Sequence, residues 1–181
     1  MGEINVFYGP MRNGKTKRLL EEFNEQLHTG QNVKIFKPLI DSRFSDTKVI
    51  SRNGMSADAI NLTSINDLAN YDAVVYLIDE FQFLNGDLDT IEKLSKYKNK
   101  KFYISGLNYT SDKKPFGKML ELISIADNAE LIPYSCEICH EKQALYSYFN
   151  GTKTSDIHLG DSEYISVCEN CYNELEKKRK L

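Results

Sequence analysis

The sequence predicts an α/β fold, a parallel sheet flanked by helices, with a small cysteine-bearing module at the C-terminal end. Three observations predict it. Short β-rich runs alternate with helical stripes from residue 4 to residue 134, the pattern of parallel strands joined by crossover helices. A glycine-containing loop separates the first strand run from the first helical stripe. The four cysteines form two pairs, Cys136/Cys139 and Cys168/Cys171, with none elsewhere. A chain of 181 residues suits one domain with a small appendage, and 41% hydrophobic with 27% charged residues excludes disordered and low-complexity classes.

The elements follow in order. INVFY (4–8) reads as a strand ending at Gly9-Pro10. Leu19, Leu20, Phe23 and Leu27 then line one stripe of a helix that closes near Gly30. VKIFK (33–37) predicts a second strand, stopped by Pro38, and residues 38–63 a loop with one small strand near 48–51. AVVYLI (73–78) is nearly continuously apolar, as in a parallel strand covered on both faces. DLDTIEKLSKY (87–97) places Leu88, Ile91 and Leu94 on one helical face. KFYISGL (101–107) predicts a strand, FGKMLELISIAD (116–127) a helix behind Pro115, and AELIPY (129–134) the last strand. The character changes near 132/133, which divides the chain into domains 1–132 and 133–181. The second holds the cysteines, a hairpin-like QALYSYF (143–149), a small-polar NGTKTSD (150–156) and a basic amphipathic tail.

Gly9-Pro10-Met11-Arg12-Asn13-Gly14-Lys15-Thr16 fits the G-x-x-x-x-G-K-[ST] pattern. Its glycines let successive N–H groups turn toward phosphate oxygens, and the next helix adds positive charge at its N-terminus. Lys15 reaches the β- and γ-phosphates, and Thr16 offers a hydroxyl to Mg²⁺. A plain glycine turn with an exposed lysine is the bland alternative. The strand before and the helix after favour a nucleoside-triphosphate site in a P-loop NTPase-type sheet.

Asp79 and Glu80 stand at the C-terminal end of the strand 73–78, the edge where open α/β sheets bind ligands. Asp79, across from Thr16, is the expected second anchor for Mg²⁺. Glu80 points toward whatever receives the phosphoryl group and suits a general base. The four cysteines match the tetrahedral set of a structural zinc site, although the 28 residues between the pairs exceed ordinary zinc-ribbon spacing. A redox role would need a thioredoxin-like context; His140 and His158 are the alternative ligands.

A formal net charge of −3 argues against a protein whose main work is gripping duplex DNA. No run approaches the roughly 20 apolar residues of a membrane span. The opening MGEINVFYGP lacks the marks of a secretory signal. A cytoplasmic protein without nucleic-acid or membrane partners is expected.

Five segments, in order, resemble the zinc-containing (type II) thymidine kinase family. They are Gly9–Thr16, Lys37-Pro38-Leu39-Ile40-Asp41-Ser42-Arg43-Phe44, Ile78-Asp79-Glu80-Phe81-Gln82-Phe83, Gly106-Leu107 with Pro115-Phe116-Gly117, and Gly160 to Tyr164 followed by Cys168 and Cys171. The resemblance implies an ATP-dependent deoxynucleoside kinase acting on thymidine, with ATP on the phosphate loop and Mg²⁺ held by Asp79 and Thr16. Glu80 would take the proton of the nucleoside 5′-hydroxyl. Arg43, held by the Asp41 segment, would stabilise the transferred charge. Met11, Phe83, Leu107, Phe116 and Tyr164 would enclose base and sugar, and a homotetramer is implied. The zinc domain would be lasso-like. Its segment 150–164 would close over the nucleoside and exclude water, and the sparse apolar content of 150–161 predicts a mobile lid.

The chain departs from the family at Arg12-Asn13, where Phe-Ser is usual, and at Arg52, Asn108, Ser111 and Leu159. These changes crowd the nucleoside side and leave the acceptor less defined than the chemistry. Two other classes stay open: a different P-loop NTPase whose zinc module binds nucleic acid or a protein partner, and a nucleotide-binding regulator.

Overall fold

The computed structural model describes residues 1–41, 45–151 and 162–179. Arg43, His158, Leu159, Gly160 and most of the expected lid lie outside the described residues. Six parallel strands form the central sheet: β1 (Glu3–Tyr8), β2 (Val33–Pro38), β5 (Ile60–Leu62), β6 (Val75–Ile78), β7 (Lys101–Gly106) and β8 (Asn128–Leu131), in the order β5-β2-β6-β7-β1-β8. The helices are α1 (Lys15–His28), α2 (Asp89–Lys98), α3 (Met119–Ile125) and α4 (Glu169–Arg179).

Alternating side chains divide the core between the two sheet faces. On one face Ile4, Val6, Phe36, Tyr76, Ile78, Phe102 and Ile104 pack against Ile91 and Leu94 of α2 and Met119 and Leu122 of α3. On the other, Phe7, Ile35, Val75 and Leu77 pack against Leu19 and Leu20 of α1. All four residues of β6 are therefore buried, which explains its continuous apolar run. The rings of Phe36, Tyr76 and Phe102 stack across three adjacent strands, with centroids 5.8 and 5.0 Å apart.

The segment 38–63 differs most from expectation. Beyond β3 (Lys48–Ile50), it forms β4 (Ser56–Asp58), antiparallel to β3, and β5, which extends the main sheet alongside β2. Pro38 is the last residue of β2 and not its stop. A six-residue 3-10 turn, Ile65–Asn70, carries a capping box from Ser64 and Asp67 and seals the sheet with Ile65 and Leu68. Leu27 is 46% exposed, so the α1 stripe ends a turn earlier than its spacing suggests. Helix α3 starts at Met119, since Phe116 and Gly117 belong to the loop before it, and β8 ends at Leu131.

After Ile132, β9 (Tyr146–Phe149) and β10 (Tyr164–Val167) form a two-stranded antiparallel ribbon. With α4 they enclose a separate apolar cluster of Cys136, Tyr148, Val167, Cys168, Cys171 and Tyr172. Among the described residues, no helix is long and apolar enough to cross a membrane.

Candidate active site

The strand ends bring the sequence-predicted residues to one edge. β1 leads into Gly9, whose φ of 136° and close approach to the Asn13 side chain leave no room for a Cβ. Gly14 (φ 88°) and Arg12 (φ 63°) also take left-handed conformations, and α1 starts at Lys15. Lys15 is buried inside the loop, its Nζ donating to the Pro10 carbonyl at 2.6 Å and to Asn13 Oδ1 at 2.9 Å. Asn13 donates in turn to the Ile132 carbonyl at 3.2 Å. A phosphate oxygen entering the loop competes with neutral acceptors for an ammonium already aimed inward.

Opposite, Thr16 Oγ1 donates to Asp79 at 3.1 Å and Ser105 donates to the same carboxylate. Burial first, and the Glu80 carboxylate second, push Asp79 from its ordinary 3.8 up to about 6. A cavity of about 20 Å³, water-sized, lies among Thr16, Lys37, Asp41, Asp79 and Glu80. Its oxygen donors are the kind a hard divalent cation takes. Lys37 is itself buried, with Nζ donating to the Ser45 carbonyl at 2.5 Å.

Glu80 sits at φ 51°, an uncommon backbone position for a non-glycine residue and one that clusters at functional sites. Gln82 steers it. Its Nε2 donates to Glu80 Oε2 at 2.5 Å while its Oε1 accepts the Leu107 N–H at 2.9 Å. A cavity of about 180 Å³ is lined by Met11 to Lys17, by Ile50 to Asn53, and by Glu80 and Leu107. Phosphate loop and carboxylate thus face one space.

Beside it, Met11, Leu107, Phe149 and Tyr164 form one buried cluster with Phe116 against it. Phe83 meets Phe116 edge to face at 5.3 Å. The five expected apolar residues therefore form one continuous wall, to which Phe149 adds a ring 5.0 Å from that of Tyr164. Of the departures, Arg52 lines the larger cavity. The Asn108 carbonyl accepts the Phe116 N–H, and the Ser111 carbonyl accepts the Tyr172 hydroxyl.

Gln82, Ser105 and Phe149 belong to the site although sequence reasoning gives them no role. Gln82 lies inside the segment Ile78–Phe83, and a glutamine two residues after Glu80 is the sequence signal that marks it. Ser105 and Phe149 carry no local pattern, because a serine or an aromatic at a strand end is commonplace.

The four Sγ atoms of Cys136, Cys139, Cys168 and Cys171 lie within 4.8 Å of one another, and Cys139 to Cys168 is 3.9 Å. Thiolates at ~2.3 Å from one tetrahedral centre would be ~3.8 Å apart, so the set fits zinc. Burial opposes ionisation at Cys136, but backbone N–H groups of Cys139, Cys168 and Ile138 prevail and lower it to about 6. Burial, and hydrogen bonds that the Cys171 thiol donates to the neighbouring sulfurs, push Cys171 up to about 12. Thiols this close resist full ionisation without a cation among them. His140 takes a left-handed turn after Cys139 and is absent from the cluster.

The family profile described as thymidine kinase matches residues 2–172. A thymidine kinase of Pseudothermotoga lettingae is 31% identical, the alignment covering 98% of each chain. One of Porphyromonas gingivalis is 32% identical, covering 96% of this chain and 86% of the relative. One of Mycoplasma mobile is 33% identical, covering 98% and 90%.

Proposed function

The chain belongs to the thymidine kinase family, and on that premise we propose that it transfers the γ-phosphoryl group of ATP to the 5′-hydroxyl of thymidine. The observation that carries the reading is the single cavity lined both by the phosphate loop and by Glu80 and Leu107. Donor phosphates and acceptor hydroxyl can meet there without solvent between them.

Lys15 exchanges its bonds to Pro10 and Asn13 for phosphate oxygens. Glu80, aimed by Gln82, accepts the 5′-hydroxyl proton as the bond from O5′ to the γ-phosphorus forms. The bond from that phosphorus to the β,γ-bridging oxygen breaks, and ADP leaves with the electron pair. Thr16 and Asp79 would hold Mg²⁺, which neutralises phosphate charge when bound. Arg43, outside the described residues, is proposed as a further stabiliser of the transferred charge. Met11, Phe83, Leu107, Phe116 and Tyr164, joined by Phe149, would enclose base and sugar, with Asp41 supporting the acceptor side. The zinc of the cysteine cluster is structural, because four thiolates leave no open position.

The division into a kinase domain (1–132) and a zinc domain (133–181) belongs to the same reading, supported by the separate apolar cluster around the cysteines. Homotetrameric assembly and a cytoplasmic setting complete it, supported by the resemblance. Purified protein supplied with ATP and a nucleoside panel tests the reaction. Thymidine 5′-monophosphate and ADP should form one to one. ATP hydrolysis indifferent to every nucleoside would favour another P-loop NTPase instead.

A further inference from the structure

We infer that Glu137, Ser147 and Ser166, all in the cysteine-bearing module, are positioning residues for ATP: they hold the tip of the phosphate loop in its anion-binding shape. The inference rests on the ATP reading above and goes beyond it, because it assigns donor-side work to a module whose expected tasks are structural and acceptor-side.

The tip of the loop is Met11-Arg12, and both polar groups of the Met11 backbone are held from outside. The Met11 N–H donates to Ser147 Oγ at 2.9 Å, and the Met11 carbonyl accepts from Ser166 Oγ at 2.5 Å. The two serines face each other across the ribbon, in register between β9 and β10. Each is less than 5% exposed. The next residue, Arg12, holds a left-handed φ of 63°, a conformation that persists in a non-glycine residue when its surroundings over-determine it. Its guanidinium pairs with Glu137 Oε1 at 3.3 Å.

Glu137 closes the circuit. Its other carboxylate oxygen accepts the Ser166 N–H, and its own N–H donates to the Ser166 carbonyl at 2.9 Å. Glu137 lies between Cys136 and Cys139, and Ser166 lies two residues before Cys168. Every atom that grips the loop tip from Glu137 and Ser166 is thus within two residues of a cysteine of the cluster. Donors converging on phosphate must be held to within a fraction of an ångström to act together, and α1 anchors only the far end of the loop.

Binding of a fluorescent, non-hydrolysable ATP analogue to the full chain, well below its unfolding temperature and with zinc content measured, tests the assignment. Ser147→Ala and Ser166→Ala should each weaken binding about threefold or more, and Glu137→Ala about fivefold or more. Glu137→Gln should fall between Glu137→Ala and the parent, because an amide oxygen still accepts. KM for ATP should rise in parallel with the loss of affinity while kcat stays within about threefold of the parent, a split that general destabilisation would not give. Arg12→Gln combined with Glu137→Ala should be no worse than the weaker-binding single variant. Should a Glu137 variant lose zinc, Ser147→Ala and Arg12→Gln decide, each expected to weaken binding about threefold or more. If the parent binds the analogue and Ser147→Ala and Arg12→Gln both bind within twofold of it, the inference is overturned. A parent that binds no analogue would instead overturn the ATP reading itself.

Discussion

At Asp79 the fold keeps a carboxylate where ionisation is disfavoured, beneath the cavity shared with Asp41 and Glu80 and satisfied by two hydroxyls. Its carboxyl is raised from 3.8 to about 6 in the folded protein, so between those values the unfolded chain has released a proton that the native site retains. Stability without metal therefore falls as pH rises from about 4 to 6, and the cost above that window is on the order of 2–3 kcal/mol. Asp79→Asn keeps the shape and removes the charge. It should raise the melting temperature of metal-free protein at pH 7.5, with the gain shrinking toward pH 4, while kinase activity falls by ~10²-fold or more. An unchanged melting temperature at pH 7.5 would show that the charge costs the free site nothing. Glu80→Gln should lower kcat by ~10²-fold with ATP affinity little altered; activity within a few-fold of the parent would remove Glu80 as base. Phosphate loop, acidic pair and cysteines were legible because each needs fixed residue types at fixed short spacing. Gln82 and Ser105 were not, because their work depends on where another segment passes in space, Leu107 for one and Thr16 with Asp79 for the other.

Among the elements, long strongly patterned segments were legible and short ones were not. β1, β6, β7 and α1 each carry enough apolar residues to reveal a period. β4 and β5 have three residues each, too few for alternation to stand out. β5 gains its place from lying beside β2 at Phe36 to Pro38, a contact no local pattern encodes. That region matters, since the β3–β4 hairpin carries the 51–54 turn to the larger cavity. The loop before α3 is similarly exacting. Gly117 has φ 52°, and a Cβ there would collide with the Gln82 carbonyl. Gly117→Ala should destabilise the protein by about 1–2 kcal/mol and shift Gln82, so that kcat falls more than KM for ATP changes. Parent-like melting and parent-like kcat together would show that the loop relaxes freely.

On the scale of the whole molecule, the sheet core and the ribbon cluster are joined by the apolar wall of Met11, Leu107, Phe149 and Tyr164 and by a few polar fastenings. Among the described residues, the sheet core contains none beyond Ile132, whereas the ribbon cluster contains none before Cys136. Between them run the serine grip on Met11, the Arg12–Glu137 pair and a third joint at Lys113. The Lys113 ammonium sits 4.4 and 4.1 Å from the ring centroids of Tyr146 and Tyr172, and bonds Glu169 at 2.5 Å. A ribbon of two four-residue strands is marginal in isolation, so the free energy of metal binding to its cysteines should supply much of its order. The sheet, with both faces covered, has no such dependence. Cys168→Ser removes one thiolate, and the variant should purify with less than one zinc per chain. Hydrogen exchange should then accelerate by ~10-fold or more at Tyr148 and Ile165, while amides of β6 and β7 stay within about threefold of the parent. ATP-analogue affinity should fall in the same sample, since Ser147 and Ser166 leave their places with the ribbon. Uniform acceleration through β6 would mean that the metal holds the entire chain together, and one zinc per chain in Cys168→Ser would mean that three thiolates suffice.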